Sequence, residues 1–194
     1  MAYACSHARS ATGEVLRPGG LALTDTALAM CALPCAARVL DVGCGTGAVV
    51  AYLKERYGFR AFGIDCSAAA GHCMRAVAES LPVKDAACDC VMSECVLSLV
   101  PHAKRCLHEM YRVLRHGGYA ILSDIYDRSQ PDHEVELLRC SGFEVVLWQD
   151  HTRSLREVAA AAALQGRSGD ICLPAGFCPQ QAGYYLAIAR KEKG

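Results

Sequence analysis

Residues 38–50 read R-V-L-D-V-G-C-G-T-G-A-V-V, and this stretch decides the fold. Its first part, residues 39–42, is apolar apart from Asp41 and is typical of a short buried strand. Three alternating glycines follow, at Gly43, Gly45 and Gly47. They remove side chains where the backbone must turn before a helix that begins near Ala48, and the first N–H groups of that helix are free. The stretch therefore predicts a ligand-binding turn.

Asp41 places a carboxylate directly before the glycine turn. A turn that binds pyrophosphate prefers no negative charge nearby, whereas Asp41 suits a cationic or hydroxyl-bearing ligand. The alternative is a tight turn that needs glycine for packing alone. We favour the ligand turn because the glycines lie between an apolar strand and a helix in one window.

Size and composition indicate a single domain spanning residues 1–194. Lys+Arg and Asp+Glu number 20 each, so the charge pattern indicates no nucleic-acid or anionic membrane partner. Hydrophobic residues make up 53% of the chain, but no apolar run has transmembrane length, and residues 1–9 lack the apolar core of a signal peptide. We expect a cytoplasmic protein, monomeric or homodimeric, whose partner is a small molecule.

The 13 cysteines include no C-x-x-C pair. The closest pairs are Cys31 with Cys35 and Cys88 with Cys90, which gives no support for a structural zinc site. A chain of this length also has a core large enough to fold without disulfides. We therefore expect reduced thiols, most of them small buried residues, and no bound metal.

Strand and helix patterns alternate along the whole chain. The expected strands are residues 39–42, 60–64, 74–78, 88–93, 119–124, 143–148 and 184–189. The expected helices are residues 21–33, 48–57, 68–73, 101–115, 132–140 and 152–164. This order predicts an α/β fold with a Rossmann-like, doubly wound and mostly parallel seven-stranded sheet. Residues 1–18 are expected to form an N-terminal arm, and residues 166–183 a long loop that contains Cys172 and Cys178.

Asp65 ends the second expected strand. In a doubly wound sheet this position lies beside the glycine turn, where a carboxylate can accept hydrogen bonds from both hydroxyls of a ribose. The alternative role is an N-cap for the short helix that follows, which Ser67 could fill equally well. We favour the ribose ligand.

Five segments carry a family resemblance. They are D-V-G-C-G-T-G at 41–47, G-I-D-C-S at 63–67, E-S-L-P-V at 79–83, C-D-C-V-M-S-E at 88–94 and R-V-L-R-H-G-G-Y at 112–119. These segments resemble the successive motifs of class I S-adenosylmethionine-dependent methyltransferases, in the branch that includes quinone-biosynthesis and arsenite methyltransferases. The resemblance implies S-adenosylmethionine as cofactor. It also implies six parallel strands and an antiparallel seventh, which suits residues 184–189.

The resemblance implies a set of cofactor contacts. The residues are Asp41, Gly43, Cys44, Gly45, Thr46, Gly47, Asp65, Cys66, Ala78, Glu79, Ser93 and Glu94. The glycines would pass under the methionine portion, with Asp41 near its amino group, and the pair at 93–94 would lie beneath the sulfonium. Asp65 would hold the ribose hydroxyls, while Cys66 and residues 78–79 would border the adenine. The chain departs from the family at Val77, where an Asp is usual, and in its shorter preceding helix, which predicts a more open adenine pocket.

Methyl transfer from a sulfonium mainly requires alignment of the two reactants, and a base if the nucleophile carries a proton. Three residues near strand ends are candidates for the catalytic side, namely Cys95, Asp124 and His151. His151 could be a general base at neutral pH or a loop residue with no chemical task. Asp124 could line the substrate mouth or merely end a strand.

Cys95 stands where arsenite methyltransferases place one metalloid-binding cysteine. A thiolate would be a soft ligand for a soft atom, although a packed small residue is the commoner role of a cysteine. The family's later cysteine motif is missing, and Cys172 and Cys178 could complete a thiol triad only by folding over the site.

The sequence is also compatible with other classes of function. A nicotinamide oxidoreductase also uses a glycine turn and a strand-end acid, but the spacing here is G-x-G-x-G rather than G-x-G-x-x-G. A module that binds S-adenosylmethionine without turnover would explain the departures near the adenine. A thiol-based metalloid-binding protein is a further alternative.

Overall fold

A computed structural model describes residues 17–67, 73–164 and 178–192. Its helices are α1 (Gly20–Ala29), α2 (Ala48–Tyr57), α3 (Ala103–Val113), α4 (His133–Cys140) and α5 (Thr152–Leu164). Its strands are β1 (Arg38–Val42), β2 (Arg60–Asp65), β3 (Cys73–Arg75), β4 (Cys88–Glu94), β5 (Leu114–Asp127), β6 (Phe143–Asp150) and β7 (Ala182–Lys191).

The strands form one mixed sheet in the order β3-β2-β1-β4-β5-β7-β6. The pairs from β3 to β5 are parallel, and β7 runs antiparallel to both β5 and β6. This confirms the predicted doubly wound sheet and its antiparallel last strand. The chain order reverses between β1 and β4, and ligands of such sheets bind beyond the carboxyl ends of the strands at that point.

Both faces of the sheet are covered, as the apolar strands require. Successive side chains of β1 point to opposite faces. Leu40 packs in one buried cluster with residues of α3 and α4, whereas Val39 packs in a second cluster with residues of α1, α2 and α5. Both side chains are fully buried. The central strands are therefore fixed from two sides, which holds their carboxyl ends in place.

Several predicted boundaries were wrong. The first helix ends at Ala29 rather than at residue 33. The helix predicted over 101–115 ends at Val113, because Leu114 is extended (ψ 136) and pairs with Cys88 of β4. Cys73, predicted in a short helix, begins the strand Cys73–Arg75, which replaces the strand expected over 74–78. The rest of that short helix, residues 68–72, lies outside the described residues.

The eleven cysteines in the described ranges form no disulfide bonds, and their predicted reduced state stays a prediction. Five of them are buried, three are half-buried and three are exposed. Within those same ranges no helix has the length and apolar character needed to cross a membrane.

Lys191, at the end of β7, holds the end of α3. Its buried ammonium donates hydrogen bonds of 2.8 Å to the carbonyl oxygens of Tyr111 and Leu114. Lys191→Met removes both donors, and we expect the free energy of unfolding to fall by about 2 kcal/mol, the scale of leaving buried polar groups unpaired. Urea unfolding measures the change. Lys104→Met, at an exposed position of α3, is the control, and equal stability of the two variants would contradict this role.

Candidate active site

The glycine turn after β1 has the backbone that its sequence predicts. Gly43 has a φ of 82° and Gly45 a φ of 53°, both in the left-handed region that favours glycine. A Cβ on Gly43 would lie 2.1 Å from Cγ2 of Val96, so the turn is pressed against the loop after β4. A Cβ on Gly45 would meet no protein atom within 4 Å, so Gly45 faces open space.

The turn is tied to the end of β2. The N–H groups of Gly43 and Cys44 donate to the carbonyl oxygen of Ile64 over 2.7 and 3.1 Å. The side chain of Cys44 points towards β2, where a Cβ on Gly63 would lie 2.5 Å from its sulfur. Thr46 is exposed, as expected of a residue at the open side of the turn.

Asp65 joins the turn from β2. Its carboxylate accepts hydrogen bonds from the N–H of Gly45 over 2.9 Å and from the N–H and hydroxyl of Ser67 over 2.8 and 2.7 Å. Burial raises the pKa of Asp65, but these hydrogen bonds outweigh it and leave the pKa below its usual value. Asp65 is therefore an ionised acceptor at the mouth of the turn. The N-cap alternative involves residues 68–72 and stays open.

The expected adenine border follows directly along the chain. Ala76 donates its N–H to the carbonyl oxygen of Asp65 over 3.1 Å, which keeps this segment beside β2. Ala78 and Glu79 form the tip of a turn closed by pairing of Val77 with Ser80, and both are partly exposed. Cys66 is exposed. Their contacts with adenine stay predictions.

The end of β4 lies on the other side of β1 from Asp65, and it holds a buried ion pair. An Oε atom of Glu94 lies 2.8 Å from Nη2 of Arg17, and both side chains are at most 6% exposed. Burial raises the pKa of Glu94, and the Arg17 guanidinium opposes that rise. Thr24 of α1 contacts both partners. The hydroxyl of Ser93, also buried, has no hydrogen-bond partner among the described residues.

Asp41 lies at the end of β1 beside this pair and is 3% exposed. Burial, followed by the negative charge of Glu94, raises the pKa of Asp41 to about 8, although Arg17 acts in the opposite direction. Asp41 is therefore largely protonated at neutral pH until a cation approaches. A positively charged ligand group is the natural partner for this site.

Cys95 follows β4 with a φ of 59°, in the left-handed region that is uncommon for residues other than glycine. Its sulfur shares a hydrogen bond of 3.2 Å with the Tyr184 hydroxyl, which donates to the Ser123 hydroxyl over 3.1 Å. Burial raises the pKa of Cys95 to about 12, and Asp124 adds to the rise. Burial therefore disfavours the thiolate form of Cys95.

Asp124, at the carboxyl end of β5, is 2% exposed. Its carboxylate accepts hydrogen bonds from the N–H and hydroxyl of Ser98 and from the N–H of Ile125, over 2.7 to 3.0 Å. Burial raises the pKa of Asp124 despite these bonds. Asp124 also lines a cavity of about 410 Å³ whose apolar walls include Leu97, Leu107 and Tyr185. The predicted position at a substrate mouth is consistent with this placement.

Among the described residues, no hydrogen bond joins His151 or Cys178 to Cys95 or Asp124. His151 follows β6, three strands beyond β4 in the sheet, a separation of roughly 14 Å at the usual strand spacing. Its side-chain contact is with Gln149, at 3.4 Å. Cys178 donates to Gln180, and Cys172 lies outside the described residues. The general base and the thiol triad therefore stay predictions.

Sequence reasoning missed Arg17 and Tyr184. Arg17 lies in the segment predicted to form an N-terminal arm, and Tyr184 lies in the predicted last strand, to which no functional role was assigned. Each contacts residues far along the chain, Glu94 and Cys95. An arginine directly before a Pro-Gly-Gly turn carries no local signal of such a partner.

Residues 40–122 match the family model described as a methyltransferase domain. Human arsenite methyltransferase is 30% identical over 146 residues, which cover 73% of this chain and 34% of that protein. The malonyl-[acyl-carrier protein] O-methyltransferase of Enterobacter lignolyticus is 30% identical over 147 residues, which cover 71% and 56%. The chain thus spans about a third to a half of the length of these curated relatives.

A solved structure shares the fold. Phosphoethanolamine N-methyltransferase 2 of Haemonchus contortus, in complex with S-adenosylmethionine, has a TM-score of 0.71 over 91% of this chain and 54% of that chain, at 16% identity. The sheet order and the glycine turn define an α/β domain of the methyltransferase type. The chain resembles the class I S-adenosylmethionine-dependent methyltransferases in its matched domain and in its curated relatives.

The residues present fit the cofactor of this class. S-adenosylmethionine carries a ribose, an ammonium and a carboxylate. The ionised Asp65 suits hydroxyl donors, the pair of Asp41 and Glu94 suits an ammonium, and the open space over Gly45 leaves room for the ligand. Unpaired polar atoms at Ser93 and Arg17 provide further partners. In the part of the chain that the structure describes, no group of three or more His, Cys, Asp or Glu could hold a metal ion.

Proposed function

We propose that this chain binds S-adenosylmethionine and transfers its methyl group to a small-molecule acceptor. The observation that carries the proposal is the hydrogen bond from Gly45 to Asp65, which joins the glycine turn to a strand-end acid at the reversal point of the sheet. The family match and the relatives named above support it. The balanced charge of 20 basic and 20 acidic residues supports a small acceptor rather than a nucleic acid or a membrane.

The protein's part in the reaction is alignment. When bound, the sulfonium supplies an electrophilic methyl carbon, which an acceptor lone pair attacks as the carbon–sulfur bond breaks. Asp65 holds the ribose hydroxyls, and Asp41 with Glu94 holds the ammonium. Ser93 and Glu94, at the end of β4, would lie on the side of the sulfonium, and Cys95 follows them along the chain. Only an acceptor that carries a proton needs a base, so few residues are strictly catalytic.

The cavity beside Asp124 is the proposed acceptor site. Its lining combines apolar side chains with the carboxyl groups of Asp124, Asp127 and Glu134, which suits a small, partly apolar molecule with hydrogen-bond donors. It lies at the carboxyl ends of β4 and β5, next to the cofactor crevice.

Reduced cysteines agree with a cytoplasmic location. We also infer a monomer or a homodimer, which size-exclusion chromatography tests.

A second candidate acceptor is arsenite. The human relative bears that name, and Cys95 lies at the crevice. The raised pKa of Cys95 disfavours a free thiolate at neutral pH, so this acceptor ranks second. Arsenite-dependent release of S-adenosylhomocysteine from the native chain and from Cys95→Ser decides the matter, since an equal rate in both would remove Cys95 from the site.

Methyl transfer itself is tested with S-adenosylmethionine labelled in its methyl group. The native chain is incubated with small amines, thiols, carboxylates and arsenite, and both label transfer and S-adenosylhomocysteine release are measured. We expect stoichiometric transfer to one class of acceptor, lost in Asp65→Ala. Binding of S-adenosylmethionine without transfer to any acceptor would favour the module without turnover.

Cofactor binding is expected to tighten as pH rises. Because the pKa of Asp41 is about 8 in the free protein, a ligand ammonium that requires ionised Asp41 must displace a proton at lower pH. Affinity for S-adenosylhomocysteine should therefore increase from pH 6 to 8, by up to about tenfold per unit. Calorimetry at pH 6, 7 and 8 measures the slope.

Asp41→Asn is the matched control for this pH dependence. The variant cannot ionise, so it should bind more weakly and with a flatter profile. The free energy of unfolding should also change, because a carboxyl whose pKa is raised from 3.8 to about 8 stabilises the fold at low pH and loses that contribution as pH rises through 8. An identical dependence of affinity on pH in the native chain and in Asp41→Asn would contradict the assignment of Asp41 to the ligand ammonium.

A further inference from the structure

We infer that Arg17 is the receptor for the carboxylate of the cofactor's amino-acid portion. Arg17 is 8% exposed, and its Nε and Nη1 atoms are buried with no hydrogen-bond partner among the described residues. Only Nη2 is engaged, by Glu94 and Thr24. The inference rests on the proposed binding of S-adenosylmethionine and adds a residue that the family motifs do not include.

Two unpaired donors on a buried guanidinium require an acceptor. Buried N–H groups almost always have one, because leaving water without a new partner is costly. The guanidinium presents its donors in a planar fork that matches a carboxylate. A ligand carboxylate would satisfy Nε or Nη1 while Nη2 stays with Glu94. Arg17 therefore has donor groups at Nε and Nη1 that are available to a ligand.

The position of Arg17 selects the amino-acid end of the cofactor. Its partner Glu94 ends β4. Asp41 is the last residue but one of the neighbouring strand β1, which pairs with β4 through Val42 and Ser93. The charge of Arg17 acts on the pKa of both acids. The glycine turn begins directly after Val42. A ligand lying on that turn has this cluster within reach.

The charges of the cluster complement a zwitterion. Asp41 and Glu94 suit an ammonium, and Arg17 suits a carboxylate, so an α-amino acid group enters with its charges matched. A carboxylate on the methyl acceptor offers the same chemistry to Arg17. The cofactor is favoured because its ammonium and carboxylate are held together, as Arg17 and the two acids are.

The experiment compares S-adenosylhomocysteine with its decarboxylated form, in which hydrogen replaces the carboxylate. Calorimetry measures both ligands against the native chain and Arg17→Met. Arg17→Met leaves the Glu94 carboxylate buried without its partner, which can destabilise the fold. The double variant Arg17→Met/Glu94→Gln removes both charges and so avoids an unpaired buried charge. Arg153→Met, whose side chain is 92% exposed, is the matched control.

The native chain and Arg153→Met should prefer S-adenosylhomocysteine by roughly 10- to 100-fold, the scale of a hydrogen bond to a charged group. Arg17→Met and the double variant should bind both ligands equally. Retention of the preference without Arg17, or its absence in the native chain, would overturn the inference.

An acceptor carboxylate gives a different result. In that case the preference is the same with and without Arg17, while benzoate binds the S-adenosylhomocysteine-loaded native chain and not loaded Arg17→Met. That outcome would also overturn the inference. Failure of the native chain to bind S-adenosylhomocysteine would instead contradict the proposed function, so the two failures are distinguishable.

Discussion

Gly45→Ala is expected to weaken binding of S-adenosylhomocysteine by roughly 10- to 100-fold, the scale of forcing a methyl group into occupied space. The reason is that a Cβ on Gly45 meets no protein atom within 4 Å and instead enters the space proposed for the ligand. The φ of 53° adds strain to the fold, at a cost of about 1–2 kcal/mol. Calorimetry measures the affinity, and urea unfolding measures the stability.

Gly58→Ala is the matched control for this variant. Gly58 ends α2 with a φ of 66°, and a Cβ there also meets nothing within 4 Å. Both substitutions should lower the free energy of unfolding by similar amounts, whereas only Gly45→Ala should weaken binding of S-adenosylhomocysteine. Equal affinity of the two variants would show that the glycine turn does not face the ligand.

Gly43→Ala is expected to affect both stability and binding. Its φ of 82° is strained for alanine, and the new Cβ would lie 2.1 Å from Cγ2 of Val96. The two effects together should lower the free energy of unfolding by about 3 kcal/mol. Because the turn must move to relieve the overlap, binding of S-adenosylhomocysteine should fall below detection. Urea unfolding and calorimetry measure the two effects.

Gly43→Ala/Val96→Ala separates the overlap from the backbone strain. Removing the valine methyl groups relieves the 2.1 Å overlap, and it leaves the unfavourable φ and a tight 3.2 Å approach to Cβ of residue 96. We expect Gly43→Ala to lower the free energy of unfolding of the Val96→Ala protein by about half as much as it lowers that of the native chain. No recovery would show that the contact with Val96 does not fix the turn.

The fold was predictable wherever local signals mark both ends of an element. The helix predicted over 48–57 has those bounds because Gly47 and Gly58 stop it on either side. The third helix was overextended because pairing between Leu114 and Cys88 depends on a strand that is distant in sequence. The doubly wound, mostly parallel sheet was predicted from the alternation of strands and helices, and its antiparallel last strand from the family resemblance.

The candidate site was predictable on the side formed by the glycine turn and Asp65. These residues sit at strand ends, and the topology of a doubly wound sheet brings strand ends together. The charge state of Cys95 was not predictable, because burial and Tyr184 determine it. Arg17 was not predictable either, because its role depends on an ion pair with Glu94.

The central claim is that the glycine turn and Asp65 bind the sulfonium cofactor of the methyltransferases. Calorimetry of the native chain with S-adenosylhomocysteine and, separately, with the nicotinamide cofactors tests it most directly. We predict one S-adenosylhomocysteine bound per chain and no heat from the nicotinamide cofactors. No heat from S-adenosylhomocysteine, or binding of a nicotinamide cofactor that Gly45→Ala abolishes, would contradict the claim.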